Sequence, residues 1–447
     1  MGRLVFDPQL TKPDALVLEN LAADIRAETT EKQVEHQGLA KRVANGYASK
    51  QGESPANGSA GHRDDGTIAK LAALNNPKDP NFEPTVFNGT KLSQLKLPRV
   101  LDQWVLQPYI RVARSIVRVE TDVVMVTHLL LYFTTSVPSA ALLFYKFWWI
   151  HALVHCFMQI SYVGTYTLMM HQHIHMRGIL SKRFIIFDTL FPYVLDPLMG
   201  HSWNSYFYHH VKHHHVEGNG PNDLSSTIRY QRDNIWHFLH YVGRFYFFIW
   251  FDLPSYFIQT GKLGLALKAA FWELSYYATL IFLYRSNPSA TFAVLLLPLL
   301  LLRAGLMVGN WGQHAFVDHE EPDSDYRSSI TLIDVASNRH CFNDGYHTSH
   351  HLNPLRHWRE HPVSFLRGKE KYASQHALIF HNIDYIMITV RLMMKDYRTL
   401  AECMVPIGEQ ISMTLEDRMA LLESHVQRFT EQEIREKFGK EALATGL

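Results

Sequence analysis

His171-Gln-His173-Ile-His175 is the first of three short stretches into which many of the chain's 27 histidines gather. On a helix, residues i and i+4 share a face, so His171 and His175 can address one metal together while His173 points elsewhere. The second stretch is His209-His210-Val-Lys-His213-His214-His215, and the third is His347-Thr-Ser-His350-His351. Spacing i, i+3, i+4 sets three imidazoles on one helical stripe. Within it, adjacent His350 and His351 diverge by about 100°, so they can flank the stripe and serve two neighbouring metals. His210, His213 and His214 repeat that spacing. His210, His214 and His215 form a second triad, and the spacing leaves both open. A fourth element, Asn310-Trp-Gly-Gln-His314, supplies another i, i+4 pair.

A structural zinc takes four ligands, so eight or nine histidines imply two metals. Imidazole suits zinc, copper, iron and nickel. Zinc lacks redox chemistry and would confine the site to hydrolysis or hydration, and no zincin-like His-Glu-x-x-His occurs. A redox metal can activate O2 against an unactivated C–H bond, which side chains alone cannot attack. The formal net charge of +1 gives no footing for a nucleic-acid partner. The three cysteines, Cys156, Cys341 and Cys403, are too few and scattered for a disulfide framework or a cysteine zinc site, which fits a reducing compartment.

The histidine stretches lie just outside long apolar segments. Crossing the hydrocarbon core takes about 20 apolar residues. Val123–Tyr145 and Phe147–Met170 qualify with no charged residue, Leu263–Tyr284 holds Lys268 and Glu273, and Pro288–Val308 holds only Arg303. Phe184–Gly200 and His240–Phe257 are apolar but broken by charge and proline. If all the histidines serve one site, an even number of spans must separate successive clusters. That rule makes the two broken segments interfacial and predicts an all-α integral membrane protein with four spans, six being the runner-up. A helical cap holding a di-metal site lies on one side together with both termini. Arg177, Lys182, Arg183 and Lys212 flank the clusters and make that side cytosolic.

The order and spacing of these elements resemble those of the membrane fatty acid desaturases. His171-x3-His175, His210-x2-His213-His214 and His347-x2-His350-His351 are similar to that family's three histidine boxes, and Asn310-x3-His314 to its extra Asn/His element. Two spans precede the first box and two more separate the second box from that element, as in the family. The resemblance covers about residues 120–365. It implies a di-iron centre, O2 as co-substrate, a lipid substrate, an external electron donor such as cytochrome b5 or ferredoxin, and the endoplasmic reticulum membrane. It gives the histidines the role of iron ligands and Asn310 an indirect catalytic role through water. Asn219, four residues after His215, matches a common downstream Asn and favours the His210, His214, His215 set. Sterol- and alkane-oxidising hydroxylases share such clusters and form the near alternative, with a membrane metal transporter the distant one.

The remaining polar residues carry plainer expectations. Residues 1–120 read as a polar arm with a short amphipathic helix over 14–27 and disorder over 28–66, residues 121–365 as the metal-binding membrane domain, and 366–447 as a cytosolic helical region. His128, His151 and His155 read as neutral packing groups within spans. His319, His340, His357 and His361 read as surface or supporting residues. Glu217, Asp318 and Glu320 could orient ligand imidazoles. Trp203 and Trp311 could line a substrate tunnel or anchor at the interface. Asp223–Asn234 reads as a loop, able to dock a donor or a headgroup. Asn57-Gly-Ser59 and Asn88-Gly-Thr90 match glycosylation sequons, unused if this arm is cytosolic.

Overall fold

A computed structural model describes residues 6–7, 10–44, 57–90, 92–333 and 335–439, and the chain is mostly helical. The longer helices are α1 (Lys12–Ala44), α2 (Asn57–Asn75), α3 (Gln107–Ile116), α4 (Val123–Thr134), α5 (Ser136–Tyr145), α6 (Trp149–Met176), α7 (Ile185–Leu198), α8 (Ile235–Gln259), α9 (Leu263–Ser286) and α10 (Leu297–Gln313). Beyond them come the short helix α11 (His347–Leu352), α12 (Tyr385–Met393) and α13 (Leu415–His425). Among the described residues, two helical stretches are long and apolar enough to cross a membrane, Val123–Tyr145 and Pro288–Gln313.

The surface of the helical bundle is apolar where a soluble protein would be polar. Trp149, Leu153, Val154, Phe157 and Ile160 on α6 are exposed, as are Phe247, Phe248 and Phe251 on α8 and Leu267, Phe271, Ile281 and Phe282 on α9. Contiguous exposed apolar surface of this kind marks contact with lipid or a partner. α8 and α9 form a hairpin through Thr260–Lys262, and α8 runs unbroken through Pro254. α7 leaves Ile185, Ile186, Phe187 and Leu190 exposed while burying Phe191 and Leu195, the two-faced pattern of a helix lying along an interface.

The cap is less purely helical than the sequence suggests. Strand β1 (Ile330–Ile333) pairs in parallel with β2 (Leu378–His381), Ile330 opposite Leu378 and Ile333 opposite His381. Both strands are buried throughout, and apart from Thr331 and the terminal His381 their residues are apolar on both faces. The C-terminal region is part of the same core: Leu332, Phe380, Ile388, Leu400 and Leu422 pack together. Arg232, fully buried, ties the layers by donating to the carbonyls of Ala315, Thr227, Tyr230, His425 and Gln427.

The polar N-terminal arm departs most from expectation. Residues 28–44 and 57–66, read as disordered, continue α1 and begin α2, while 45–56 lie outside the described residues. Val17, Leu18 and Leu21 of α1 and Leu71 of α2 pack against Tyr346, Val363 and Phe365. Tertiary burial of one apolar stripe thus supplies what local composition does not. The first helix and the C-terminal region up to α13 therefore both pack on the cap. Asn88, of the second sequon, donates its side-chain amide to Thr165 Oγ1 at 3.2 Å and the His340 carbonyl at 2.6 Å.

Candidate metal centre

Four pieces of chain converge to build the site. α6 brings His171 and His175, one turn apart on its inner face. A segment at Phe207–His214 brings the second cluster, α11 the third, and the end of α10 brings Asn310 and His314. Gly312 lets α10 press in closely: a Cβ there would lie 2.4 Å from the carbonyl oxygen of Tyr385.

The Phe207–His214 segment is a π-helix, not an α-helix, and the His215 N–H bonds back to the His210 carbonyl five residues earlier. Wide turns of this kind recur at functional sites. The extra residue per turn brings i and i+5 together, so His210 and His215 meet although α-helical spacing would separate them. It also explains the overfull cluster. His210 and His215 go to one group, His214 goes to the other, and His213 joins neither.

Nine imidazoles form two groups. His171, His175, His210, His215 and His350 make the first, and His214, His314, His347 and His351 the second, the ligand atoms in each lying within 4.8 Å of one another. In the first, Nε2 of His171 is 2.8 Å from that of His210 and 3.0 Å from that of His350, and His215 Nε2 is 3.1 Å from His210 and 2.8 Å from His350. In the second, His347 Nε2 is 3.2 Å from His314 Nε2. Ligands held at about 2.1 Å from one metal and at right angles would stand about 3.0 Å apart. The Nε2 atoms of His175 and His351 are buried with no hydrogen-bond partner, leaving their lone pairs free to ligate an ion. An all-imidazole donor set of this geometry fits two borderline transition metals.

Burial first, then crowding by neighbouring imidazoles, pushes His210, His215, His314, His347 and His350 well below the usual histidine range and His175 to about 4. Burial thus favours the neutral ring, the form that ligates. In the second group the far ring nitrogens are fixed from behind. His214 Nδ1 lies 2.7 Å from Asp223 Oδ2, His314 Nδ1 lies 2.7 Å from the Ser328 carbonyl, and His351 Nδ1 lies 3.5 Å from Asp325. Burial alone would raise the Asp223 carboxyl, but His214 and His213 hold it well below the carboxylate range. Such backing sets tautomer and ring orientation and points Nε2 at the metal.

His213 is a correction to the ligand set read from spacing: its Nε2 accepts the Leu224 N–H at 2.8 Å and its ring packs on Tyr256. Of the three acids considered as orienters, none takes that role. Glu217 accepts from the Tyr256 hydroxyl, Asp318 pairs with Arg327, and Glu320 is exposed. Asp223 was legible only as part of a loop. Its buried position follows from the tight turn after Asn219 (φ 55°), whose Oδ1 accepts the Thr227 N–H. Asn310 donates to the Ser225 carbonyl at 2.8 Å and to the Tyr241 hydroxyl at 2.7 Å. His361 bonds Ser349, His357 bonds Asp122, and His319 stacks on Phe429. His151 and His155 share the Ser139 hydroxyl.

A cavity of about 430 Å³ opens beside the groups, lined by His171, His210, His214, His347 and Asn310 at one end. Leu168, Phe245, Leu253, Leu302, Leu306 and Met307 form its apolar walls. Trp250 lines it, but Trp203 and Trp311 do not: their indole N–H groups donate to the Tyr193 and Arg232 carbonyls.

A family model for fatty acid desaturases matches residues 146–382, more than half of the chain. The chain belongs to the fatty acid desaturase family. No curated protein and no solved structure matches it. Membership makes the protein a desaturase-like oxidoreductase, or a related hydroxylase, acting on lipid. The matched desaturase region holds α6, the π-helical segment, α10 and α11, and with them all nine grouped imidazoles.

Proposed function

We propose that the protein is an O2-dependent di-iron desaturase that introduces a double bond into a fatty acyl chain or acyl lipid. The observation that carries this reading is the pair of imidazole groups, five and four, converging beside one apolar cavity. Net, a CH2–CH2 unit loses two hydrogens, and O2 takes these with two electrons and two further protons to give two waters. His171, His175, His210, His215 and His350 would hold one iron, and His214, His314, His347 and His351 the other. Iron bound there supplies the activation of O2 against an unactivated C–H bond.

The chain's own residues do the positioning. Asp223 and the Ser328 carbonyl hold His214 and His314 in the tautomer that presents Nε2. Asn310 joins Ser225 and Tyr241 at the cavity edge, placed to order water. The apolar wall aligns an extended chain with its reacting carbons at the histidine end and excludes bulk water from them. The exposed apolar faces of α6 and α9 support four spans: α4–α5, α6, α9 and the segment ending in α10, with α7 and α8 along the interface. The basic residues beside the clusters support a cytosolic site in the endoplasmic reticulum membrane, reached by an external donor such as cytochrome b5 or ferredoxin.

Expression in a lipid-profiled host, followed by mass spectrometry of the lipids, tests the reading against a His350→Ala control. New species two hydrogens lighter, present only with the wild-type chain, are the expected result. Lipids identical in both would remove the acyl-substrate reading. Incorporation of oxygen from labelled O2 into the lipid would replace desaturation with hydroxylation.

A further inference from the structure

The cavity is not apolar throughout. Away from the histidines it is lined by Ser202, Ser205, Glu273 and Arg303, and Ser202, Glu273 and Arg303 are buried. Arg303 donates to the Glu273 carboxylate and, at 2.8 Å, to the Tyr277 hydroxyl, with its guanidinium 5.6 Å from that ring's centre. Ser202 and Tyr277 also donate to Glu273, and the Ser202 and Ser205 hydroxyls lie 2.7 Å apart. Arg303, Met307, Asn310 and His314 fall at i, i+4, i+7 and i+11, one face of the last helix. At 1.5 Å per residue, Arg303 therefore stands about 10 Å along the axis from Asn310, on the cavity side.

A buried ion pair is weak evidence for stability, since well-packed apolar residues would serve as well or better, and ionisable groups at membrane depth are functional by default. Here the pair faces the space a lipid chain would fill. We infer that this wall is a binding site for an uncharged hydroxyl carried on the lipid substrate, about two helical turns from the reacting carbons. The inference rests on the acyl-lipid reading of the cavity and narrows its substrate to a hydroxylated lipid.

Charge balance selects the ligand. The Glu273 carboxylate already receives Arg303, Tyr277 and Ser202 and repels an anionic carboxylate or phosphate, while Arg303 repels an ammonium. A guanidinium carries five N–H donors, and Arg303 spends two of them on Tyr277 and Glu273. A hydroxyl oxygen can accept from Arg303, and its own proton can go to Ser205. A plain hydrocarbon at this position offers the wall nothing, the situation in which hydrogen-bonding sites discriminate most strongly.

The test is competition binding to the full-length, metal-loaded protein in lipid nanodiscs, with a brominated acyl ester quenching tryptophan fluorescence. Competitors are methyl stearate and its positional series of monohydroxy isomers. The proposal expects at least one isomer to displace the quencher ten-fold more tightly than methyl stearate. It expects the gap to close in the double variant Glu273→Leu, Arg303→Met, which removes both charges together and so strands neither. Retained metal content and thermal midpoint show that this variant is folded, and should it fail, Arg303→Lys, which keeps the charge but loses the fork, is expected to narrow the gap. No preferred isomer, or a preference unchanged in the variants, overturns the proposal. Failure of every acyl probe, hydroxylated or not, to displace the quencher overturns the acyl-lipid reading itself and the inference with it.

Discussion

The two imidazole groups solve the same problem by different means. In the five-histidine group the rings are positioned by the elements that carry them: α6, the π-helical segment and α11 set the angles, and the nitrogens of His171, His210, His215 and His350 contact one another. Among the described residues no carboxylate is paired with any of its members. In the four-histidine group three of the rings are braced from outside, by Asp223, the Ser328 carbonyl and Asp325. A backed imidazole is a more basic ligand with a fixed tautomer. One group thus depends on helix packing and the other on a shell of hydrogen bonds, and the two should fail differently when cut.

The largest effect is expected in the unbacked group. His350 touches both His171 and His215, so His350→Ala removes the ring that joins α11 to the other two elements. Product should fall below detection and metal content, measured by mass spectrometry of the purified protein, should drop by the first group's share. Retention of full metal would break the assignment of His350.

Asp223→Asn sharpens the contrast from the other side. It keeps the shape but loses the charge behind His214. Losing such a partner costs 10–100-fold in metal affinity or activity, so chelator titration should release one metal at ~10-fold or more lower chelator concentration while the five-histidine group is unaffected. Equal loss from both groups would show that the two are not independently supported.

The same difference divides what the sequence could reveal. The pairing of His171 with His175 was legible because α6 is a regular helix. The second cluster was legible only in part: spacing left two triads open because α-helical arithmetic fails on a π-helix, and only the resemblance, through Asn219, favoured the set with His210, His214 and His215 over the one with His213. The backing groups follow no spacing rule: Asp223 comes from a loop whose course is set by contacts such as Asn219 with Thr227, and Asp325 opens a four-residue helix. The N-terminal arm was legible over 14–27, where an amphipathic helix is expected and found, and not over 28–44 and 57–66, where helix stands in place of the expected disorder. Its mean composition is polar, and only the stripe Val17, Leu18 and Leu21, buried against Tyr346 and Phe365, makes it part of the cap.

His213→Gln tests the division at its boundary. Gln can still accept from the Leu224 N–H, so the loss is confined to packing on Tyr256 and proximity to Asp223. About 1 kcal/mol of stability and no change in metal content are expected. A stoichiometric loss of metal would return His213 to the ligand set.

The smallest effect lies at the far edge of the braced group, where α1 meets the residue before His347. Asp14 is 1% exposed and accepts from the Tyr346 hydroxyl at 2.7 Å. Burial raises its carboxyl from 3.8 to about 6, against hydrogen bonds from Tyr346, Thr11 and Asn338 that act to lower it. A group whose folded pKa lies above its unfolded value contributes most below the unfolded pKa, and its contribution falls as pH rises through the folded pKa. The window is therefore roughly pH 4 to 6, complete a little above 6, and the part between pH 5 and 7 amounts to about 1 kcal/mol at 1.36 kcal/mol per unit. Asp14→Asn keeps an acceptor for Tyr346 but cannot titrate. The thermal midpoint of the wild-type protein should fall from pH 5 to pH 7 by more than that of the variant, with metal content equal in both. Parallel midpoint curves would mean that Asp14 is already ionised in the fold, and that α1 holds the third histidine cluster by packing alone.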